Sequence, residues 1–295
     1  MNVIEHVWIA GLAGVSVVWP AVSVPLPTPA PANHPVAVSR PAPLPIKQEG
    51  QIAPVVAAKA ALLVDVPSGT VLYAKDADKP LPIASLTKLM TAHLAVQRTK
   101  PTDIITVPET NVTEVESRSG LTKGQQFTAD DLLAATMIAS ANDAAMTLAV
   151  QTAGSFDAFV TEMNRETKRL GMTDSHFANP TGYDSGDSYA SARDLAILAR
   201  AVMQEPRIRA VVASKERVIK AVDGTEFKLQ TTDELLGGYL PIAGLKTGTT
   251  DAAGECLVSV LQSGDREVLA IVLNSPSRFQ ENKSMLDWSL RSYHW

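Results

Sequence analysis

The stretch AALLVDVPSGTVLYA, Ala60–Ala74, decides how the rest of the chain is read. Two runs rich in apolar and β-branched residues, Ala60–Val66 and Thr70–Ala74, flank Pro67-Ser68-Gly69, a pattern that reads as a β-hairpin. A second pair lies near the other end: Glu255–Leu261 and Glu267–Leu273, joined by a Ser263-Gly264-Asp265 turn. Between the two pairs the apolar residues recur at helical spacing. One helix begins at Ser85 and runs through Leu86, Leu89, Met90, His93 and Leu94; others cover Ala129–Ala139, Asn142–Thr152, Ser155–Leu170 and Ser191–Met203, and a last one spans Arg278–Tyr293. Strands at both ends with helices between them predict an α+β fold, an antiparallel sheet built from N- and C-terminal strands, packed against helices and carrying a largely helical insert. No internal repeat is visible.

Ahead of the first hairpin the composition changes. The chain has 295 residues, 45% hydrophobic and 19% charged, which excludes a disordered, collagen-like or coiled-coil protein. Ten of its 19 prolines lie between Pro20 and Pro54, so a tail precedes a globular body. Val7–Trp19 (VWIAGLAGVSVVW) is an apolar run whose helix would span roughly 20 Å, short of a bilayer core and suited to a secretory signal. Extended to Val24 it reaches about 27 Å, long enough for an uncleaved anchor. Ala21-Val22-Ser23 offers a small-residue cleavage site, although no Lys or Arg precedes the run. The proline tract that follows favours extended polyproline II and reads as a tether. The expected organisation is residues 1–24 as signal peptide or signal anchor, 25–55 as a Pro-rich linker and 56–295 as the folded domain.

The net charge is −5, and the first 55 residues contribute none of it, because Glu5 and Glu49 offset Arg40 and Lys47. An acidic body lacks the basic surface that nucleic acid requires. Cys256 is the single cysteine, which excludes an internal disulfide, and it is expected to pack inertly in a strand. The five histidines are scattered without ligand spacing, so neither a metal nor another cofactor is expected.

Three short motifs carry chemistry. In Ser85-Leu86-Thr87-Lys88, a helical start places residues i and i+3 on one face, where a neutral amine can take the serine proton. Burial or a second cation would hold the lysine neutral. Taken alone, the pair equally fits a capping serine beside an exposed lysine. Ser140-Ala141-Asn142 lies where one helix gives way to the next; the hydroxyl can pass a proton and the carboxamide can hold a peptide group, or the two can simply cap. Lys246-Thr247-Gly248-Thr249 leads into the strand near Glu255. On an edge strand beside a cleft, its Lys and Thr would face a ligand carboxylate and Gly248 would let substrate backbone approach.

In this order the three motifs resemble those of the low-molecular-mass penicillin-binding proteins, serine-type D-alanyl-D-alanine peptidases. The resemblance extends through FTADDLLAATMIASANDAA, the Asn179–Asp184 segment NPTGYD, SARDLAILAR and GLKTGTTDAAGECLV, and covers about Ala57 to Trp295. It implies a penicillin-binding, β-lactamase-like transpeptidase fold, peptidoglycan stem peptides as substrate, β-lactams as inhibitors and an extracytoplasmic location, with membrane contact only through the N-terminal segment. By the same resemblance Ser85 is the nucleophile and Lys88 its base. Ser140 with Lys246 relays the proton to the leaving group, Asn142 orients the substrate, and the Ser85 and Thr249 backbone N–H groups form the oxyanion hole. Lys246, Thr247 and Thr249 contact the terminal carboxylate beside Gly248, and Arg278 is an added candidate there.

The implied activity is a D-Ala-D-Ala carboxypeptidase. A DD-endopeptidase acting on cross-links is the main alternative, since only the leaving group differs, and the chain ends at Trp295 as the shorter endopeptidase-like members do. A class A-like β-lactamase would need a deacylating Glu-x-x-Leu-Asn segment, and none of the glutamates between the second and third motifs starts one. A non-catalytic wall-binding sensor would not need every nucleophilic and relay position intact.

Overall fold

The structure is a computed structural model and describes residues 42–108, 119–184 and 187–295. The apolar run Val7–Trp19, its cleavage site and the proline tract as far as Pro41 lie outside the described residues. In chain order the elements are β1 (Ile46–Lys47), β2 (Ala60–Asp65), β3 (Val71–Lys75), a 3-10 turn (Ala84–Thr87), α1 (Lys88–Arg98), β4 (Ile104–Thr106), β5 (Gln126–Thr128), α2 (Ala129–Met137), α3 (Asn142–Ala153) and α4 (Phe156–Leu170). These are followed by α5 (Ala192–Met203), α6 (Pro206–Val212), β6 (Glu216–Lys220), β7 (Glu226–Gln230), β8 (Ile242–Thr250), β9 (Gly254–Ser263), β10 (Arg266–Ser275), α7 (Arg278–Ser292) and β11 (Tyr293–His294).

The two hairpins read from the sequence join as the main sheet, an antiparallel five-stranded sheet in the order β3-β2-β10-β9-β8. Its register sets Leu62 opposite Ile271 and Ile271 opposite Val258. Successive side chains of a strand point to opposite faces, and here both faces are covered. Ala60, Leu62, Val64, Val258 and Ile271 pack under the helical insert, whereas Ala61, Leu63, Leu257, Val272 and Ala270 pack under Met285, Leu286 and Trp288 of α7. Double coverage is why β2 is buried at every position and reads as a continuous apolar run.

α1 is buried from Lys88 to Ala95 and packs against α2, α3, α4, α5 and α6. Hydroxyl caps start three of the surrounding helices: Thr128, Ser155 and Ser191 accept from the N–H of Asp131, Ala158 and Asp194. The helix expected from Ser85 begins instead as the 3-10 turn and becomes α-helical only at Lys88. In that tighter winding, side chains at i and i+3 eclipse, which brings Ser85 and Lys88 closer than an α-helix does. The small ladders β4–β5 and β6–β7 and the short helix α6 had no counterpart in the sequence reading.

β1 falls inside the stretch read as linker and pairs with β11 beside the chain's end. Gln48 N–H donates to Ser292 O at 2.8 Å, Trp295 Nε1–H to Asp65 Oδ1 at 2.6 Å, and Lys47 Nζ lies 5.6 Å from the centre of the Trp288 ring. Among the described residues no helix is long and apolar enough to cross a membrane.

Candidate active site

The fold gathers the three motifs, from three separate elements, around one cleft of about 220 Å³. Ser85 comes from the 3-10 turn, Ser140 and Asn142 from the α2–α3 junction, and Thr247, Gly248 and Thr249 from β8, the sheet's edge strand; Arg278 at the start of α7 closes one end. Lys88 and Lys246 are fully buried beneath its floor.

Lys88 Nζ lies 2.8 Å from Ser85 Oγ and donates to Thr181 O at 2.8 Å. Burial pushes the Lys88 amine well below its ordinary pKa, the Lys246 charge adds to the effect, and Asp143 opposes both. A lowered proton affinity is what an amine needs to stand neutral and accept the serine proton. Lys246 Nζ donates to Ser140 Oγ at 2.9 Å and to Thr247 O at 3.0 Å. Burial first and Arg278 second bring Lys246 down to about 7, against the pull of Asp233. Two buried lysines of lowered proton affinity, each on a serine hydroxyl, place two groups capable of proton transfer in one cleft.

The backbone around both serines is held out of its preferred regions. Ala84, immediately before Ser85, has φ +47, and Ser140 has φ +57, conformations that non-glycine residues rarely adopt and that cluster at functional sites. The close approach that requires glycine at 248 is to the turn that carries Ser85, since a Cβ there would sit 2.9 Å from Ile83 O and 3.1 Å from Ser85 N. β8 thus abuts the Ser85 turn directly.

Several contributors went unassigned in the sequence reading. The Asn179 carboxamide oxygen accepts from Thr181 N at 3.0 Å, from Thr181 Oγ1 at 3.0 Å and from Gly182 N at 2.6 Å, folding NPTGYD so that Thr181 O faces Lys88. Thr91 Oγ1 of α1 donates to Pro180 O at 2.6 Å and docks the loop. Asp143, next to Asn142, accepts from the N–H groups of Ser119, Gly120, Leu121 and Ala144 at 2.9–3.1 Å. Thr232 Oγ1 lies 2.5 Å from Thr247 Oγ1 and steadies the third motif. The Asn-Pro-Thr-Gly turn chemistry was the one signal available for the first of these; the others act through long-range contacts.

At the Arg278 end, Nη1 donates to Gly248 O at 3.0 Å and to Thr249 Oγ1. Its Nε is buried without a hydrogen-bond partner among the described residues. Asp233 is also buried, with Oδ2 likewise unpartnered, and burial raises its pKa. No group of three His, Cys, Asp or Glu suited to a metal occurs among the described residues.

The family model described as D-alanyl-D-alanine carboxypeptidase matches residues 47–277. D-alanyl-D-alanine carboxypeptidase DacC of Escherichia coli (strain K12) is 34% identical over 257 residues, covering 82% of this chain and 63% of the relative. The chain thus spans less than two thirds of the length of the first curated relatives it matches. The Streptomyces K15 DD-transpeptidase superposes with a TM-score of 0.76 at 27% identity, covering 81% of this chain and 99% of that one. Penicillin-binding protein D2 from Listeria monocytogenes, solved in an ampicillin-bound form, gives 0.71 at 30% identity, covering 80% and 98%.

Proposed function

Because the chain belongs to the D-alanyl-D-alanine carboxypeptidase family, we propose that it is a serine DD-peptidase that removes the terminal D-alanine of peptidoglycan stem pentapeptides. The observation that carries the reading is the pair of lysine–serine contacts in one cleft, Lys88–Ser85 at 2.8 Å and Lys246–Ser140 at 2.9 Å. Ser85 Oγ attacks the penultimate D-Ala carbonyl as the neutral Lys88 amine takes its proton. The oxyanion is held by the Ser85 and Thr249 N–H groups, each worth roughly 3 to 4 kcal/mol at such sites. Collapse breaks the peptide bond, and the leaving D-Ala amine takes its proton from Lys246 through Ser140. Lys88, protonated in the first step, gives that proton up to the now neutral Lys246–Ser140 pair; as a neutral amine it then takes a proton from the attacking water and delivers it to the Ser85 oxygen as the acyl group leaves. Asn142 orients the stem peptide along β8, while Lys246, Thr247, Thr249 and Arg278 hold the terminal carboxylate.

A β-lactam amide is attacked in the same way, but its leaving nitrogen stays tethered in the adduct, so the reading expects a stable penicilloyl-Ser85. The substrate lies outside the cytoplasmic membrane; the 1–24 segment is accordingly assigned to export or anchoring, and the proline-rich stretch ahead of β1 to spacing the folded body from the membrane. Incubating the protein with monomeric pentapeptide and with cross-linked dimer, and separating the products by mass, tests the activity. Free D-Ala from the monomer with an untouched dimer supports the carboxypeptidase. Cleavage of the dimer alone would make it an endopeptidase.

A further inference from the structure

The cleft does not end at the catalytic residues. Gly182 and Tyr183 line both it and a second cavity of about 200 Å³, which Ala252, just beyond the end of β8, also borders. That cavity shares Pro82 and Ser188 with an open groove of about 590 Å³, lined by Pro80, Pro82, His176, Asp187, Ser188 and Tyr189. The path runs from Ser85 past the last residue of β8 and out over the loop that docks on Lys88.

The groove floor is a fixed platform. Leu81 and Ala190 exchange backbone hydrogen bonds at 3.0 and 3.1 Å, and His176 and Tyr189 exchange two at 2.9 Å. The buried Asp194 carboxylate accepts from Asp174 N at 2.7 Å and from Ser175 Oγ at 2.8 Å, which holds the segment that carries His176. On this floor the His176 and Tyr189 rings lie 6.0 Å apart with a 36° tilt, and Tyr189 is 37% exposed. Two prolines and two planar rings therefore face solvent beside a carboxylate and a hydroxyl.

We propose that this groove is a saccharide subsite that takes the amino-sugar residues of the glycan strand to which the stem peptide is attached. The proposal rests on the DD-peptidase reading of the cleft. A pyranose has a flat C–H face that stacks on a ring and hydroxyl and acetamido groups at its edge that hydrogen-bond to acceptors, and this surface offers both kinds of partner. Asp184 and Asp187 make the path acidic, which suits a neutral polyol better than an anionic chain. The reach also agrees. The three stem residues before the reacting D-Ala span about 10 Å when extended, whereas the chain length from Ser85 puts Pro82 within about 11 Å and Pro80 within about 18 Å. Binding energy from such a remote sugar would serve to position the peptide at Ser85.

The test compares steady-state kinetics on a free pentapeptide and on the same pentapeptide carrying its N-acetylated disaccharide, for wild type, Tyr189→Ala and His176→Ala. Wild type should show a KM about fivefold lower for the disaccharide-linked substrate, the size of one ring contact. The variants should lose that preference while keeping wild-type kinetics on the free peptide and wild-type acylation by a fluorescent penicillin. Equal KM values in wild type, or a preference that survives in both variants, would overturn the subsite. So would a sugar-free stem peptide extended at its N-terminus that gains as much as the disaccharide, since the groove would then hold peptide. Titration with an N-acetylglucosamine oligosaccharide, followed at the Tyr189 ring by NMR, separates the two readings. If neither substrate is cleaved, the peptidase reading fails, but perturbation of Tyr189 still supports the groove and its absence overturns it.

Discussion

Gly182→Ala is a small substitution at which the structure forecasts a large and specific loss. Gly182 has φ +82, and a Cβ built there would lie 1.8 Å from Ala84 O, 2.4 Å from Ala84 C and 2.8 Å from Thr87 Oγ1. A left-handed alanine costs about 1–2 kcal/mol and overpacking a further 1–3 kcal/mol, so the loop held in place would carry roughly 2–5 kcal/mol of strain. Ordinary contact begins near 3.4 Å, so the loop relieves that strain by moving outward by about 1.5 Å. Such a shift takes Thr181 O, now 2.8 Å from Lys88 Nζ, out of hydrogen-bonding range. Misplacing a catalytic group by about an ångström costs on the order of 100-fold, and acylation by a fluorescent penicillin should slow by that factor. Gly154→Ala supplies the control, because Gly154 has nearly the same φ, +83, with nothing within 4 Å of the added carbon. It should lose about 1–2 kcal/mol in thermal unfolding and keep its acylation rate. If the two variants acylate at the same rate, the argument that this loop positions Lys88 is wrong.

Other substitutions and conditions test the electrostatics and the packing. The alkaline limb of kcat/KM on pentapeptide should fall near the Lys246 value of about 7, because the proton destined for the leaving amine is lost above it. Asp233→Asn removes a charge that holds this proton and should move the limb to lower pH; Arg278→Gln removes one that repels it and should move the limb to higher pH, with a raised KM. Shifts of the same sign in pH-rate profiles would contradict the assignment. Asp143→Ala strips four backbone N–H groups of their acceptor and should cost at least about 3 kcal/mol in urea unfolding. Cys256 is buried and its thiol is pushed up to about 11 by burial, so native protein should resist iodoacetamide at pH 8 and react only on unfolding.

The main sheet could be read from the sequence because double coverage leaves an unbroken apolar signal in β2 and β10, and the helices from Ala129, Ser155 and Ser191 could be read from apolar residues at helical spacing. The β6–β7 ladder escaped because Glu216-Arg217-Val218-Ile219-Lys220 buries only Ile219, leaving no alternation to detect. In α6, seven residues counted from Pro206 give too little periodicity. In the cleft, the serines and lysines stand in short motifs whose spacing reflects local geometry. Thr181 contributes through its backbone carbonyl, 93 residues from Lys88, and no side-chain pattern announces it. Gly248 was legible as a site of close approach, but which group approaches it depends on how β8 packs against the Ser85 turn. The buried Asp233 Oδ2 and Arg278 Nε, unpartnered among the described residues, emerge only when burial is known.

The central claim is that Ser85, activated by Lys88, forms a covalent acyl-enzyme. Its most direct test is mass spectrometry of the protein after exposure to benzylpenicillin, with peptide mapping of the adduct. The account predicts one long-lived penicilloyl group on Ser85, absent from Ser85→Ala and formed far more slowly in Lys88→Met, both of which should retain the native thermal transition. An adduct on another residue, no adduct on folded wild type, or rapid release of hydrolysed penicillin would contradict it.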